Sequence, residues 1–464
     1  MKAINREILR LAIPSILANI TVPIVGMVDI AVSGHLSGAA AASIGGISIG
    51  SMLFDLLYWN FAFLRAGTGG LTAQAFGRGD PAACARTFFR GIGLSLILAL
   101  MVLAIQIPFT KLAFLVIDCT PEVKELALQY YYIRVWAAPA TLSLMTFRGW
   151  FIGMQDTVSS MWTDLVVNGM NIISSIVLAL GIGPWDGFGF KGVAYGTLVA
   201  QYSGLIFATC AVLVKYRKKV FAGMTAKDAV DSLGGDGLKG FFSMNADLFL
   251  RSLGFIGIYI GFTIISAKFG DLMLASSAIM MKILMIFSFF TDGFAYAGQA
   301  LTGKFIGAED YSSMRGGVKA VFNWSMGVAV LFIGIYWALG VPLLRLMTSD
   351  ADVVQACRQF LPWLIAMPPL GCAAFTWDGI YEGATASRPI RDAMLAAALF
   401  FFLSWFGGKA ILDGSSPVNY QAAAIHVLLG AYFIHLLVRT LWLSVCYRKS
   451  IPGASPNSGW ERPE

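Results

Sequence analysis

Charge is scarce in this chain. Of 464 residues, 33 are Lys or Arg and 26 are Asp or Glu, so charged side chains make up only 13%. That is about half the share found in soluble globular proteins, and it excludes the two or three soluble domains the length would otherwise allow. Histidine is scarcer still, and His35, His426 and His435 are dispersed. They offer no cluster for metal binding or acid–base catalysis. The six cysteines (Cys84, Cys119, Cys210, Cys357, Cys372 and Cys446) have no paired spacing and read as small apolar residues, not disulfides or ligands. Neither a Gly-x-x-x-x-Gly-Lys-Ser/Thr loop nor a zinc motif is present. An enzyme is not expected, and neither is a resident cofactor or metal.

What remains is apolar. Hydrophobic residues fill 57% of the chain, in runs long enough to cross the ~30 Å hydrocarbon core with about 20 residues each. Twelve spans are expected, at 12–34, 41–64, 88–109, 126–152, 160–183, 188–214, 243–267, 273–303, 318–344, 354–384, 390–411 and 420–447. The runs are continuous rather than alternating, which favours helices over a barrel. The opening "MKAINREILRLAIPSIL" lacks a small-residue cleavage site, so the first span is read as retained rather than as a signal peptide.

The net charge of +7 is a topological signal, not a nucleic-acid footprint. Arg78, Arg86, Arg90, "KYRKK" at 215–219, Lys227, Lys239, Arg315, Lys319, Arg388, Arg391, Arg448 and Lys449 share one side with the termini. The other side holds only Lys111, Lys124, Lys191, Lys268, Arg345 and Lys409. The excess places both termini in the cytoplasm. Arg134, Arg148, Arg251, Lys282, Arg358 and Arg439 fall within spans.

The chain also repeats itself. "GLTAQAFGRGD" at 70–80 returns as "ALTGKFIGAED" at 300–310, and at the same 230-residue offset Val123, Pro139, Gly149 and Gly153 meet Val353, Pro369, Gly379 and Gly383. Each half holds six spans, an even number, so the halves are expected to be parallel repeats around a central cavity at the membrane midplane. The expected division is a lobe at 1–214, a cytoplasmic linker at 215–240, a second lobe at 241–450 and a disordered tail at 451–464. Gly77 and Gly307 would allow the turn after the repeated segment, and Asp80 and Asp310 would cap the next helix.

An ionisable group inside a span is costly unless it faces a cavity or a partner, so each is a functional candidate. Asp29 lies deep in the first span with no basic residue nearby in sequence. Desolvation favours the protonated form of a carboxyl, so Asp29 suits proton coupling; a fixed hydrogen-bonded anchor is the other reading. Pro14 and Pro23 on the same span each remove a backbone hydrogen bond and permit bending. Asn168, Asn171 and Ser175 form one helical stripe, and Thr197 and Gln201 are four apart. Such stripes serve either function or helix association. Asp164, nearer the cytoplasmic end, reads as structural.

In the second half, Asp247 and Arg251 are spaced for an i,i+4 pair. Asn245 precedes them. Lys282 and Asp292 share a span ten residues apart, and Asp378 and Glu382 face one another as like charges, so one of them could hold a proton. An ion-pair network among Arg251, Lys282, Asp292 and Asp378 competes with direct coupling as an explanation. Trp59, Phe289 and Tyr296 are candidates to line a cavity for organic cations, with Asn168 and Gln201, although lipid contact is the commoner use of aromatics.

"NITVPIVGMVDIAVSGHL", "GLTAQAFGRGD", "TDGFAYAGQALTGKFIGAED" and "WDGIYEGATASRPIRDAM" together resemble the multidrug and toxic compound extrusion (MATE) family, nearest its DinF-like branch. The resemblance covers nearly the whole chain and implies a twelve-helix exporter of lipophilic, often cationic compounds driven by H⁺ or Na⁺. By that resemblance Asp29 falls on the family's first-helix aspartate, Pro14 on a proline linked to helix bending, and Asn171 and Thr197 on its polar partners. Ser175 stands where many relatives carry a second aspartate, which puts Na⁺ binding there in doubt. Asp378 matches an aspartate that another branch uses in a cation site, but Arg251 beside it would repel Na⁺.

The expected function is therefore secondary active export of lipophilic or cationic organic compounds in exchange for H⁺ by alternating access. A Na⁺-coupled drug antiporter and a lipid-linked precursor flippase are the alternatives. The expected partners are small amphipathic substrates and the lipid bilayer, not nucleic acid, for a monomer that crosses the inner (cytoplasmic) membrane many times.

Overall fold

The computed structural model of the chain describes residues 2–34, 40–115, 117, 119–223, 226–235, 237–348, 350–415 and 417–454. Almost all of them are helical, and the one β feature among them is an isolated bridge between Ile182 and Trp185. The helices are α1 (Lys2–Gly34), α2 (Ala40–Tyr58), α3 (Phe63–Gly77), α4 (Pro81–Ala113), α5 (Pro121–Arg134), α6 (Ala138–Gly153), α7 (Thr157–Leu180) and α8 (Phe190–Tyr216). They continue as α9 (Ala226–Asp231), α10 (Leu238–Ala267), α11 (Asp271–Gly307), α12 (Tyr311–Met347), α13 (Ala351–Arg358), α14 (Leu361–Gly383), α15 (Ser387–Ser415) and α16 (Tyr420–Ser450).

Among the described residues ten segments are long and apolar enough to cross a membrane, and α13 with α14, bent by 58° at their junction, makes an eleventh if the pair is one span. The remaining expected span, at 126–152, is helical but broken. A 3₁₀ turn at Val135–Ala137 separates α5 from α6, and Pro139 sits in the first turn of α6. There the missing proline N–H costs no helix bond. Neither Pro14 nor Pro23 ends α1, which is helical through both. His35 lies outside the described residues.

The chain divides into two compact units, Leu17–Phe241 and Met1–Ile16 with Phe242–Glu464. We refer to them as the amino-terminal and carboxy-terminal units. This differs from the expected lobes at the start of the chain, because the first half of α1 packs with the later helices. A Cβ on Gly293 would meet Ala12 and Ile16, Lys304 pairs with Glu7 at 3.2 Å, and the Trp324 indole donates to Asn5 at 3.3 Å. A lone hydropathy run cannot reveal that its two halves serve different neighbours.

The 230-residue repeat is visible in backbone contacts within each unit. A Cβ on Gly149 would lie 2.2 Å from the Arg65 carbonyl oxygen, and one on Gly379 would lie 2.1 Å from that of Ala295. One turn on, Gly153 abuts the Gly69 carbonyl and Gly383 that of Gln299. Every partner keeps the sequence offset. Helices without a hydrophobic drive to associate depend on such small-residue contacts, so α6 on α3 and α14 on α11 are one solution used twice.

The turns repeat as well. Asp80 accepts from the Ala83 N–H at 2.9 Å and Asp310 from that of Ser313 at 3.0 Å, as expected of N-caps. The left-handed residues of these turns are Gly79 (φ 67°) and Glu309 (φ 58°). Gly77 and Gly307, expected to make the turns, are instead the last helical residues.

The polar stretch at 215–240, expected to be a linker between lobes, falls within the amino-terminal unit and is partly structured. It holds α9, and Arg90 of α4 donates to the carbonyls of Ser232 at 2.9 Å and Gly234 at 2.8 Å. The start of the tail is also packed rather than disordered, with Ile451 buried and the Gly453 carbonyl bound by Arg315 at 2.6 Å. From residue 455 onward the tail lies outside the described residues.

The glycine contacts yield a first prediction. Gly149→Ala or Gly379→Ala should force helix displacement and lower stability by about 1–3 kcal/mol. Gly169→Ala, where a Cβ meets nothing within 4 Å, should leave stability unchanged or raise it. Thermal unfolding in detergent compares them; equal melting temperatures for Gly149→Ala and Gly169→Ala would refute the close-contact account.

Candidate functional site

Asp29, on α1, is buried in the amino-terminal unit with 8% of its surface exposed. It faces a polar lining built by α7 and α8. These helices approach closely because Gly192 and Gly196 lack side chains: a Cβ on Gly192 would stand 2.2 Å from the Leu178 carbonyl, and one on Gly196 2.6 Å from the Ser175 backbone. That contact fixes the register of the stripe. Asn171 donates to Thr197 Oγ1 at 3.1 Å, and Ser174 donates to the Gly196 carbonyl at 2.9 Å. Ser175 is fully buried one turn from Asn171, with its hydroxyl within reach of the Asp29 carboxyl.

Asn168 does not join this group; its amide binds Thr21 Oγ1. Gln201 and Trp59 are half-buried. Asp164 is held by Arg148 at 2.5 Å, in keeping with a structural role.

The charges of the carboxy-terminal unit are arranged differently from expectation. Asp247 and Arg251 do not pair along α10. Asp247 binds Arg391 at 2.6 Å and the Ser387 hydroxyl at 2.7 Å, both on α15. Arg251 reaches α14, with one nitrogen 2.5 Å from Asp378 and the other 3.2 Å from Glu382. A same-helix pair is worth only about 0.2–0.5 kcal/mol, whereas the planar guanidinium matches two carboxylates stacked one turn apart. Asp378 and Glu382 therefore face a shared cation rather than confronting each other unrelieved.

Asp378 is engaged a second time, by Arg439 of α16 at 2.5 Å. The charge of Asp292 also acts on Arg251. Lys282 is exposed and stands apart from this cluster. Of the proposed network, Arg251, Asp292 and Asp378 come together and Lys282 does not.

The aromatic candidates Phe289 and Tyr296 on α11 are half-buried. Trp150, Trp377 and Tyr381 are instead buried ties between helices, donating to the Cys84 carbonyl at 3.0 Å, Ser444 at 2.9 Å and the Leu443 carbonyl at 2.6 Å. His426 accepts from Trp363 at 2.9 Å, and His435 is wholly buried. Among the described residues no group of three or more His, Cys, Asp or Glu could hold a metal ion.

Sequence reasoning passed over Arg134, Asp55, Arg391 and Arg439 as participants. Arg134, half-buried on α5, acts electrostatically on both Asp29 and Asp55. The available signal was the presence of Arg134 and Arg439 inside apolar runs, since an intramembrane cation needs a carboxylate on some other helix.

Removing one partner from a buried pair leaves an uncompensated charge and costs about 3–5 kcal/mol. Asp378→Asn, which leaves Arg439 without its carboxylate, should destabilise by that order, and the double change Asp378→Leu with Arg439→Leu by less. Unfolding temperatures of the purified variants test this; a silent Asp378→Asn would show that the cluster is not structural.

The sequence profile of the MatE family matches residues 14–177 and 248–405. The chain is 31% identical over 412 residues to DNA damage-inducible protein F of Escherichia coli (strain K12), covering 88% of each protein. It is 24% identical to the probable multidrug resistance protein NorM of Photorhabdus laumondii subsp. laumondii, covering 84% of each. Among solved structures, MATE in the bent conformation superposes with a TM-score of 0.80 at 18% identity, over 96% of this chain and 97% of that one. An outward-facing multidrug resistance MATE transporter of the MOP superfamily gives 0.79 at 17% identity, over 96% of each. These relatives are transporters, not enzymes. This multi-pass membrane protein belongs to the MatE family, the multidrug and toxic compound extrusion transporters, on its DinF-like branch.

Proposed function

We propose that the protein exports lipophilic, cationic organic compounds in exchange for protons, and that Asp29 takes up and releases the proton. One observation carries this reading: the contrast between the two buried carboxyl sites. Asp378 and Glu382 are already engaged by guanidinium groups, which supply the positive charge that a bound Na⁺ would bring and repel any further cation. Asp29 sits instead with a hydroxyl and a half-buried arginine, and Ser175 in place of a second carboxylate leaves little to hold a metal ion. A proton needs only the one carboxyl.

Coupling then requires no contact between proton and drug. Each need only prefer a different state of an alternating-access cycle, and the preference of one is felt by the other. The unit boundary falls in α1 after Ile16, between Pro14 and Pro23, which supports a bend of that helix as the moving part. The topology proposed with it has both termini in the cytoplasm of a monomer in the inner membrane, with no cofactor. The description of the NorM relative as a probable multidrug resistance protein agrees with this substrate class, and the scarcity of in-span cations disfavours a lipid pyrophosphate.

The test uses proteoliposomes loaded with a fluorescent cation and given a pH gradient or a Na⁺ gradient separately. Efflux should follow the pH gradient and should vanish in Asp29→Asn, with reconstitution equal to the parent. Efflux driven by Na⁺ alone, or undiminished in Asp29→Asn, would remove Asp29 and the proton from the mechanism.

A further inference from the structure

Away from the buried charges, the carboxy-terminal unit carries a cavity that the export cycle does not use. It holds about 300 Å³ between the start of α1 and α12, and is lined by Asn5, Gly316, Lys319, Ala320, Asn323 and Trp324. The five α12 residues recur at spacings of three and four and so make one helical face, with Asn5 opposite. Gly316 leaves the floor open, because a Cβ there would meet only Ile4, at 3.7 Å. The Trp324 indole donates to Asn5 Oδ1 at 3.3 Å, which leaves the amide nitrogen of Asn5 to donate elsewhere.

The lining is basic. Lys319 is exposed and, among the described residues, has neither an ion pair nor a hydrogen bond. The neighbouring carboxylates along the two helices are engaged, Glu7 by Lys304 at 3.2 Å and Asp310 by the Ser313 N–H at 3.0 Å. Lys2 and Arg6 of α1 are exposed on either side of Asn5 in sequence. Such a lining repels an organic cation and attracts an anion.

Depth selects the kind of anion. Lys319 lies in the first turn of the apolar span expected at 318–344, and Trp324 stands about 7.5 Å further along the helix. Both residue types serve at the boundary between headgroups and hydrocarbon, tryptophan as an anchor and lysine as a snorkelling cation. Past the cavity, the same face of α12 continues as a shallow furrow. Gly327 and Gly334 are exposed, with nothing within 4 Å of where a Cβ would stand, beside exposed Val330 and Leu331. From Asn323 to Gly334 is about 16 Å, roughly half of the hydrocarbon core. A soluble phosphate has no use for an apolar furrow of that length, whereas an acyl chain does.

We propose that this cavity binds the headgroup of an anionic phospholipid, in the leaflet that the proposed topology places on the cytoplasmic side. Lys319 pairs with the phosphate, Asn5 and Asn323 donate to its oxygens, and one acyl chain lies past Trp324 along α12. Basic pockets between membrane helices recognise headgroups in this way. The bound lipid ties the first turns of α1 to α12, and the site stands independently of the coupling role given to Asp29.

The full-length protein in detergent is titrated with dioleoyl phosphatidylglycerol, and retained lipid is counted by native mass spectrometry, with dioleoyl phosphatidylcholine as the neutral comparison. Phosphatidylglycerol should be retained in preference. Lys319→Gln should weaken its binding roughly fivefold, the effect of one lysine at an anionic surface. Gly316→Leu, which fills the cavity and keeps every charge, should weaken it comparably. Lys218→Gln, which removes an exposed charge from the polar stretch at 215–240, should leave it unchanged. Unfolding temperatures without added lipid check that the variants fold, and either site variant alone decides the matter. Equal binding of the two lipids, or an equal loss in Lys218→Gln, would show diffuse attraction rather than a site. Undiminished binding in Gly316→Leu would empty the cavity of its role, and displacement by inorganic phosphate would make it a site for a free anion. Each of these results overturns the proposal.

Discussion

A charge inside an apolar helix bundle must be answered by another group of the protein, because lipid offers it nothing. The two units answer this demand in different ways. In the carboxy-terminal unit, the Asp378 and Glu382 carboxylates are held by Arg251 and Arg439, drawn from helices on either side of α14 in the chain. Those charges are spoken for, and they tie α10, α14 and α16 together. In the amino-terminal unit, Asp29 has hydroxyl company and an arginine whose charge also reaches a second carboxyl. The first arrangement suits a fixed joint. The second suits a group whose charge changes during a cycle, and on that difference the proposed assignment of labour between the halves depends.

The scaffold beneath these charges is duplicated with little change. Close approach at Gly149 and Gly379, N-caps at Asp80 and Asp310, and left-handed turn residues at Gln155 (φ 60°) and Thr385 (φ 57°) recur at one sequence offset. The chemistry placed on it is not duplicated. Arg148, which holds Asp164, occupies the repeat position of Asp378, so even the sign of the charge is reversed. Backbone contacts constrain both units alike, whereas a polar side chain in lipid is tolerated wherever a partner can be found. Duplicated helices can therefore diverge in function while keeping their packing.

Much of the site was legible along the chain where the relevant partners lie on one helical face. Asn171 and Ser175 share a stripe because 3.6 residues make a turn, and Asp29 stands out because nothing near it in sequence carries charge. The ion pairs were misread for a related reason. Spacing along α10 suggested Asp247 with Arg251, but both side chains turn to other helices, α15 and α14, where the partners offer better geometry. Arg439 and Arg134 escaped attention because their carboxylates lie 61 residues away for Asp378, and on α1 and α2 for Asp29 and Asp55. No local pattern marks such a pairing.

Composition and periodicity alone determined that the chain crosses a membrane many times as helices, that it is built from two six-span repeats, and that Asp29 is a carboxyl within an apolar run with no charge near it in sequence. These properties are local or self-referential: hydropathy is summed over adjacent residues, and a repeat is found by comparing the chain with itself. The tertiary structure decided which cation answers which carboxylate, that the first half of α1 belongs with the later helices, and that α5 and α6 break at Val135–Ala137. Those outcomes depend on distances between helices far apart in sequence. Such distances are set by where small residues let backbones meet, and no single stretch of the chain contains both sides of the contact.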